Sequence, residues 1–380
     1  MIKSHAVRSI CRRGRWLFLP VAGSLVLTGT LIAAAQPMAG RSVMGIPGFL
    51  SRVSAVSASD AWAVGNTGTS DQPLIVHWNG TRWSQVTSPN VPTGALSGVS
   101  MVSVTDGWAV GTQFLGETAL IEHWNGTNWA LVPPPHISGF GSSLRGVSMV
   151  SATDGWAVGY YDTSNEVHRP LVLHWDGTRW AQVPVSVSSG YTVLFAVSAA
   201  SKSDAWAVGT RLSSTGWTAL TLHWNGTSWT RVPSPNPSPA AAYGVSDVSP
   251  GNAWTVGRSG KTSTVELPKT LTLHWSGTAW QHVFGPNPGP PNALTGVAIL
   301  SKSNAWSVGD YSTSTGGFAA LTLHWNGTNW ARVPNQGGTT DSFLTDVIMV
   351  SATDGWAVGG HSSPGKVLIL HWNGTTWSPS

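Results

Sequence analysis

The sequence predicts a seven-bladed β-propeller with four antiparallel strands per blade, and three observations lead to that fold. Two short motifs, of the types DAWAVG and HWNGTRW, alternate along the chain, and each occurs seven times. Successive tryptophans of the first motif are separated by 46 to 52 residues. The segments between turn residues are short and rich in β-forming residues. A nearly fixed period of this length indicates one repeat architecture rather than several independent domains.

Each repeat is predicted to contain four short strands, and residues 96–132 illustrate the pattern. The second strand is expected to stop at Gly111, and Asn125 and Gly126 link the third strand to the fourth. Asn-Gly between two strands favours a type I′ turn, which needs positive φ at both central residues. Two copies carry Asp176 or Ser276 in place of the asparagine and keep the glycine. The repeated feature is therefore the turn, and the glycosylation sequon is its by-product.

The repeats are expected to close into a ring. A solenoid needs atypical repeats at its ends, whereas here the first and last copies resemble the middle ones. The chain begins close to the first strand of blade one and ends on the fourth strand of blade seven. No extra strand is therefore expected to clasp the ring. The predicted blades span about residues 49–88, 95–134, 143–185, 193–234, 241–285, 293–335 and 343–380.

The first 35 residues differ from the repeats and predict export. They contain five basic residues and no acidic ones, and an uncharged apolar run extends from Trp16 to Ala35. Small residues at 33–35 fit a cleavage site, whereas the length of the run also fits a membrane anchor. Residues 1–35 are therefore predicted to be a signal peptide or an anchor, and 36–48 a linker. The propeller is expected outside the cytoplasm, secreted or anchored to the outer face of the membrane.

Charge and cysteine content exclude several classes of function. Beyond residue 35 the chain has 15 basic and 16 acidic residues, so the electrostatic signature of nucleic-acid binding is absent. Cys11, the single cysteine, precedes the apolar run, and the repeats therefore have neither disulfides nor thiol chemistry. We expect a monomer that is held together by packing and that contacts membrane only through its N-terminal segment.

The repeated polar and aromatic residues are interpreted as structural. The aspartate or asparagine two residues before each motif tryptophan is expected to bond backbone N–H groups in a tight turn. The third-strand histidines must lie about one sheet spacing apart, too far to share a metal ion, and are expected to bond backbone or hydroxyl groups between blades. We expect no metal, cofactor or catalytic residues. The motif tryptophans, expected to pack blade on blade, are Trp62, Trp108, Trp156, Trp206, Trp254, Trp306 and Trp356.

Sequence variation concentrates on one face of the predicted ring. The first-to-second and third-to-fourth turns are short and alike, and they share one face. The second-to-third and fourth-to-first loops are long, differ in every copy and share the opposite face, here called the long-loop face. Rigid scaffolds carry recognition on such loops, so this face is the predicted binding face. The alternative is that these loops only tolerate sequence change.

One position on that face suggests a ligand site. Eleven residues before each motif tryptophan, three successive blades carry Arg145, Phe195 and Tyr243, and the other blades carry small hydroxyl residues. Nearby loops add Tyr160, Tyr161 and Trp217. An aromatic cluster with a guanidinium group suits a sugar or an extended peptide, and these six residues are the candidate ligand-binding set.

The next position along each first strand suggests how the ring closes. It carries small residues except in blades one and seven, which have Arg52 and Asp346. These two side chains are predicted to form an ion pair within about 4 Å, across the junction between the first and last blades.

The repeat resembles the kelch and galactose-oxidase central-domain class of propellers over about residues 50–380. The resemblance is carried by a second strand ending in glycine (356–360), a third strand ending in an aromatic residue (370–372) and Trp377 at the start of the fourth strand. Exported bacterial propellers with GWAVG strands, of the photosystem-assembly type, are equally similar. Kelch repeats carry a double glycine, which only Gly359 and Gly360 supply here, and the repeats lack the cysteine of galactose-oxidase copper chemistry.

These observations favour an exported, non-enzymatic binding or scaffold protein that recognises a glycan, a wall polymer or a protein at the cell surface. The alternative is a propeller hydrolase or lyase that acts on extracellular carbohydrate. A sialidase would need three inner-strand arginines, and only Arg52 and Arg145 stand in such places. A lectin with one sugar site per blade would need repeated loop residues, and the loops do not repeat.

Overall fold

The computed structural model describes residues 45–68, 71–164, 167–187, 190–235, 239–260, 267–338, 341–362 and 365–380. These residues form seven four-stranded antiparallel sheets, which confirms the predicted seven-bladed propeller. Nowhere in these ranges is there a helix with the length and apolar character needed to cross a bilayer. The predicted leader, residues 1–35, and most of the linker lie outside the described residues.

The strands of each blade follow one another in sequence order, with the first strand innermost. Blades one to three contain β1 Phe49–Ser57, β2 Asp60–Asn66, β3 Pro73–Trp78, β4 Trp83–Val86, β5 Gly94–Ser103, β6 Asp106–Gln113, β7 Thr118–Trp124, β8 Trp129–Leu131, β9 Ser142–Ser151, β10 Asp154–Asp162, β11 His168–Trp175 and β12 Trp180–Gln182. Blades four and five contain β13 Thr192–Ser201, β14 Asp204–Ser213, β15 Gly216–Trp224, β16 Trp229–Arg231, β17 Ala240–Ser249, β18 Asn252–Ser259, β19 Lys269–Trp275 and β20 Trp280–His282. Blades six and seven contain β21 Asn292–Ser301, β22 Asn304–Ser312, β23 Phe318–Trp325, β24 Trp330–Arg332, β25 Ser342–Ser351, β26 Asp354–His361, β27 Lys366–Trp372 and β28 Trp377–Pro379.

Every inner strand has a β-bulge at the same position. In blade three, Leu144 pairs with Gly159 and Gly146 pairs with Val158, so Arg145 between them has no partner. A bulge inserts an extra residue and redirects its side chain. The seven bulged residues are Ser51, Ser97, Arg145, Phe195, Tyr243, Thr295 and Thr345. The variable position that the sequence singled out is therefore the one that the bulge turns away from the regular sheet.

The repeated glycine of the second strand makes room for this bulge. A Cβ added at Gly159 would lie 1.9 Å from the carbonyl oxygen of Ser143, and the corresponding distance is 1.9 to 2.1 Å in all seven blades. The prediction that this glycine ends the second strand is wrong, because β10 continues to Asp162. The glycine repeats because the inner strand passes too close for any side chain.

The core consists of seven apolar clusters, one at each junction between neighbouring blades. Trp156 of blade three packs against Trp224 and Trp229 of blade four, at centroid distances of 4.8 and 5.1 Å. The last junction has the same geometry, since Trp356 lies 4.8 Å from Trp78 and 5.1 Å from Trp83. The ring is thus closed by the same tryptophan contacts that join its other blades.

The third-strand histidines have partners that differ from those predicted. Six of the seven histidines bond the aspartate or asparagine that begins the second strand of their own blade, as His371 bonds Asp354 at 2.7 Å. In blade three, His174 Nε2 lies 3.5 Å from Asp154 Oδ2. Each histidine also stacks on the motif tryptophan, with His371 lying 4.3 Å from Trp356. The expectation of backbone or hydroxyl partners between blades is wrong. Asp354 and Trp356 share one face of the strand, and His371 lies opposite Trp356, so all three side chains meet on that face.

Serine hydroxyls join the inner strands of neighbouring blades. The Ser54 hydroxyl of blade one accepts the N–H of Met101 in blade two at 3.0 Å. The equivalent bond joins each following pair of blades up to blades five and six, where Ser246 accepts the N–H of Ile299 at 3.3 Å. In blades six and seven this position is Ala298 and Ile348, which have no hydroxyl. The ring closure therefore requires other polar contacts.

Arg52 and Asp346 supply those contacts, but not as the predicted ion pair. Asp346 Oδ2 accepts the N–H of Val53 at 3.1 Å, across the junction. Arg52 donates to the carbonyl oxygens of Thr345, at 3.2 Å, and Tyr243, at 3.3 Å. The ion pairs of the described residues do not include Arg52 with Asp346 within 4.0 Å. The direct pairing is wrong because backbone groups of the opposing blades occupy both side chains.

The end of the predicted linker also takes part in the closure. The carbonyl oxygen of Ile46 accepts the N–H of Val367 at 3.2 Å, and Gly48 N–H donates to the Gly365 carbonyl at 2.9 Å. Ile46 is buried in the cluster between blades seven and one. Residues 46–48 therefore belong to the propeller and attach beside the third strand of blade seven. They help to close the ring, although the sequence predicted no extra segment for this role.

Candidate ligand-binding site

A cavity of about 520 Å³ opens on the long-loop face over blades three, four and five. Five of the six candidate residues line it: Arg145, Tyr160, Phe195, Trp217 and Tyr243. Three of these, one from each blade, are bulged residues of inner strands. The shared bulge therefore brings three variable side chains into one cavity, although about 50 residues separate them along the chain.

Aromatic rings form a continuous wall from blade three to blade four. Tyr160 stacks on His168 at 4.1 Å, and His168 lies 4.2 Å from Tyr191. Tyr191 in turn meets Trp217 edge to face at 5.3 Å. These rings give the cavity an extended apolar surface with polar atoms at its margins.

A second aromatic pair joins blade four to blade five. Phe195 and Tyr243 meet edge to face at 5.2 Å. Arg52 donates to the carbonyl of Tyr243 from the central channel, a separate cavity of about 220 Å³. That bond links the backbone of Tyr243, a cavity residue of blade five, to blade one on the other side of the central channel.

Tyr161 is the one candidate residue that does not line the cavity. It is partly buried against the apolar cluster between blades two and three, which includes Ile137 and Trp108. Consecutive residues of a strand point to opposite faces, so Tyr160 and Tyr161 cannot both face the same cavity. Its inclusion in the candidate set is corrected for this reason.

Three lining residues with aromatic or charged side chains were not in the candidate set: His168, Tyr191 and Arg258. Arg258 follows its motif tryptophan by four residues, as Tyr160 does, so that position was a signal for both. Tyr191 is one of only five tyrosines, three of which line the cavity. Nothing in the sequence marks His168, because its role depends on a side-chain bond to Asp162 that folding creates.

Two arginines stand at the cavity, one on each side of blade four. Arg145 lies over the ring of Tyr160, at 5.6 Å, and Arg258 over that of Tyr243, at 5.8 Å. Within the described ranges, neither forms an ion pair within 4.0 Å. The Nε of Arg145 is buried without a hydrogen-bond acceptor. The cavity therefore presents cationic donors that the described residues leave unmatched.

Among the described residues, Asp162 and Asp310 lie close to the lining without being part of it. Asp162 is bonded to Nδ1 of His168, which faces the cavity in front of it. Burial raises the pKa of Asp310 to about 6, and the charge of Arg258 opposes that rise. The described lining residues include neither aspartate nor glutamate.

The phenols of Tyr191 and Tyr243, both half-buried, stay protonated at neutral pH. Burial raises the pKa of Tyr243, and the Asp310 carboxylate adds to that rise. Burial, followed by the charges of Tyr160 and Asp162, also raises the pKa of Tyr191. Both hydroxyls can therefore donate as well as accept hydrogen bonds at the cavity.

The residues that the structure describes contain no group of three or more His, Cys, Asp or Glu side chains suited to a metal ion. The repeated histidines instead face their own blade's aspartate or asparagine, as His223 faces Asp204 at 2.7 Å.

No family model matches the chain, and no curated protein matches it. Solved structures do match. The chain is similar to YCF48 from Cyanidioschyzon merolae, with 14% identity and a TM-score of 0.56 over 87% of this chain and 97% of that one. It is similar to the GH74 xyloglucanase from Xanthomonas campestris, with 13% identity and a TM-score of 0.61 over 90% of this chain and 56% of that one. It is also similar to a protein of unknown function from Dyadobacter fermentans, with 12% identity and a TM-score of 0.51 over 86% of this chain and 94% of that one. At these identities the likeness shows the propeller fold alone, and the kelch and galactose-oxidase resemblance is confirmed only as far as that fold.

Proposed function

We propose that this protein is an extracytoplasmic binding propeller that holds its ligand, a glycan or a protein segment, in the cavity over blades three to five. The observation that carries the proposal is the cavity itself. Three adjacent blades with the same framework contribute different aromatic and cationic side chains to one concave surface of about 520 Å³. Ligand sites are typically clefts of this size, lined by aromatic residues and a few polar groups.

The chemistry of the lining supports binding over hydrolysis. Most glycoside hydrolases act through two carboxyl groups that flank the scissile bond. The described lining residues include no carboxyl group, and Asp162, which lies beside the lining, is bonded to His168. The cavity instead offers ring faces and hydrogen-bond donors, which hold a ligand without reacting with it.

The proposed location rests on the leader sequence. A basic segment followed by an apolar run predicts export, and the propeller itself contains no cysteine that would depend on the redox state of the compartment. A ligand at the cell surface, such as a wall polymer, an exopolysaccharide or an exported protein, follows from that location.

The test compares Trp217→Ala with a matched control, Phe318→Ala, on arrays of glycans, wall polymers and peptides. Trp217 and Phe318 occupy the same register of the third strand in blades four and six, opposite Leu212 and Ser312. They are 39% and 42% exposed, but only Trp217 lines the cavity. We expect the unmodified protein to bind at least one array ligand. Trp217→Ala should no longer bind that ligand, whereas Phe318→Ala should bind it as the unmodified protein does.

Two outcomes would count against this function. One is an array ligand whose binding is the same in the unmodified protein and in Trp217→Ala, which would place recognition elsewhere. The other is cleavage of an array glycan that Trp217→Ala abolishes, which would favour the hydrolase or lyase alternative.

A further inference from the structure

We propose that the ligand in this cavity is an acidic saccharide whose carboxylate groups are held between Arg145 and Arg258. The inference rests on the binding function proposed above and adds the chemistry of the ligand. It is carried by the balance of hydrogen-bond donors and acceptors in the lining, by one buried donor without an acceptor, and by the shape of the aromatic wall.

The lining contains an excess of donors. Each guanidinium group offers five N–H donors and no acceptor. The described side chains that line the cavity include no aspartate, glutamate, asparagine or glutamine, so the side-chain acceptors are His168 and a few hydroxyls. A ligand that satisfies this surface must itself be rich in acceptors, and a carboxylate matches a guanidinium in both charge and geometry.

Arg145 gives the most specific indication. Its Nε is buried and has no acceptor, although its guanidinium lies against the ring of Tyr160. A buried donor without an acceptor is destabilising, and among the described lining residues Arg145 alone has one. The bulge redirects Arg145 into the cavity lining, where its guanidinium group, which forms no ion pair within the described residues, can meet a ligand carboxylate.

Arg258 supplies the second cation on the far side of Phe195. It is exposed, and its guanidinium lies over the ring of Tyr243. Burial raises the pKa of Asp310 to about 6 against the charge of Arg258, and Asp310 forms no ion pair with Arg258 within 4.0 Å. Two cations separated by an aromatic residue fit a chain molecule that carries acidic groups on successive units.

The wall favours a saccharide over an acidic peptide. Pyranose rings present C–H faces that pack on aromatic rings, and Tyr191 and Trp217 provide such rings beside the arginines. An extended peptide brings one obligatory N–H donor per residue, and each needs an acceptor when it is buried. The lining is poor in acceptors, whereas sugar hydroxyls can turn towards water or towards one another.

The experiment measures calorimetric binding of three probes to the full propeller. The probes are a tetragalacturonate, its carboxyl-reduced neutral counterpart and a hexaglutamate peptide. The variants are R145Q and R258Q, with R332Q as the matched control. Arg332 also lies over a tyrosine, at 4.6 Å from the Tyr311 ring, but outside the cavity. Because Arg258 is exposed, R258Q tests the inference even if R145Q disturbs the fold.

The expected result is binding of the tetragalacturonate, weakened about tenfold or more by R145Q and by R258Q and unchanged by R332Q. Carboxyl reduction of the probe should weaken binding as strongly as the arginine substitutions do. Raising the salt concentration should weaken it as well, because exposed charges are screened.

Three results would overturn the inference. Equal affinity for the reduced probe would show a neutral saccharide site, and stronger binding of hexaglutamate would show an acidic-peptide site. Failure of all three probes would refute the acidic-saccharide class. The proposed binding function survives each of these results if Trp217→Ala still abolishes binding of an array ligand. It fails, independently of the three probes, if no array ligand requires Trp217.

Discussion

The carboxylate of Asp346, on the first strand of the last blade, accepts a hydrogen bond of 3.1 Å from the backbone N–H of Val53 on the first strand of the first blade. The two residues are 293 positions apart in the sequence. The bond replaces the serine contact that joins the inner strands of blades one to six, at the junction where the ring must close. Burial raises the pKa of Asp346, and the charge of Arg52 and the N–H bond from Val53 oppose that rise.

A substitution of Asp346 that removes the acceptor oxygen should therefore destabilise the ring closure more than one that keeps it. Asp346→Ala leaves the buried N–H of Val53 without its partner, and we expect it to lower the free energy of unfolding by about 1–3 kcal/mol. Asp346→Asn keeps an acceptor oxygen and removes a charge that burial disfavours, so we expect a smaller loss. Chemical denaturation of both variants at neutral pH measures the difference. Equal losses would mean that the oxygen acceptor is not what matters.

The stability of the propeller should depend on pH through Glu122. Its side chain is fully buried between blades one and two, and among the described residues the Ser88 hydroxyl alone bonds it, at 3.0 and 3.3 Å. Burial raises the pKa of Glu122 from 4.5 to about 7. Since the folded protein holds the proton more tightly than the unfolded chain does, stability falls as pH rises from about 4.5 to about 7, by roughly 3 kcal/mol, and is constant above that.

Glu122→Gln should remove this pH dependence, because glutamine does not titrate. We expect the variant to match the unmodified protein near pH 4.5 and to be more stable above pH 7. Other groups titrate in the same range, so the quantity to measure is the difference in unfolding free energy between the two proteins as a function of pH. Glu117→Gln, at an exposed loop residue of the same blade, is the control. If the difference in unfolding free energy between Glu122→Gln and the unmodified protein does not change with pH, the prediction is wrong.

The second-strand glycine should be required for both the bulge and the cavity. Gly159→Ala places a Cβ 1.9 Å from the Ser143 carbonyl, so the inner strand must shift beside the bulged Arg145. We expect a loss of about 1–3 kcal/mol from overpacking, together with weaker ligand binding. Gly251→Ala is the control, since a Cβ there would meet nothing within 4 Å. Unchanged thermal stability in Gly159→Ala would contradict the role given to the glycine.

The histidine contact should need an acceptor oxygen at the start of the second strand, but not a charge. Asp354 bonds His371 at 2.7 Å, and Asn252 and Asn304 make the same contact to His274 and His324, at 2.9 and 3.0 Å. We expect Asp354→Asn to change stability little and Asp354→Ala to lower it by about 1 kcal/mol. Thermal unfolding of both variants is the measurement. A large loss in Asp354→Asn would show instead that the ion pair contributes.

Much of the site followed from the sequence because the repeats supply an internal frame of reference. Once the tryptophans align seven copies, a position that holds serine or threonine in four of them and Arg145, Phe195 or Tyr243 in the others is conspicuous. Comparison of the seven copies at the position four residues after each motif tryptophan likewise singles out Arg258. It cannot separate Tyr160 from Tyr161, because which of two adjacent residues faces the cavity depends on the register of the sheet.

By itself, the sequence determined the number of blades and the four strands of each. These depend on local patterns, such as strand length and the tryptophan period, which neighbouring residues specify. The predicted type I′ turn at Asn-Gly is wrong, because only the glycine has positive φ, as Gly126 does at 89°, whereas Asn125 does not. Only the tertiary structure decided which distant side chains meet. The bulge that presents Arg145, the bonds of Arg52 and Asp346 across the closure, and the stacking of Tyr160, His168 and Tyr191 arise when the blades close into a ring. The physical reason is that such contacts depend on how whole blades pack against each other, which no short stretch of chain encodes.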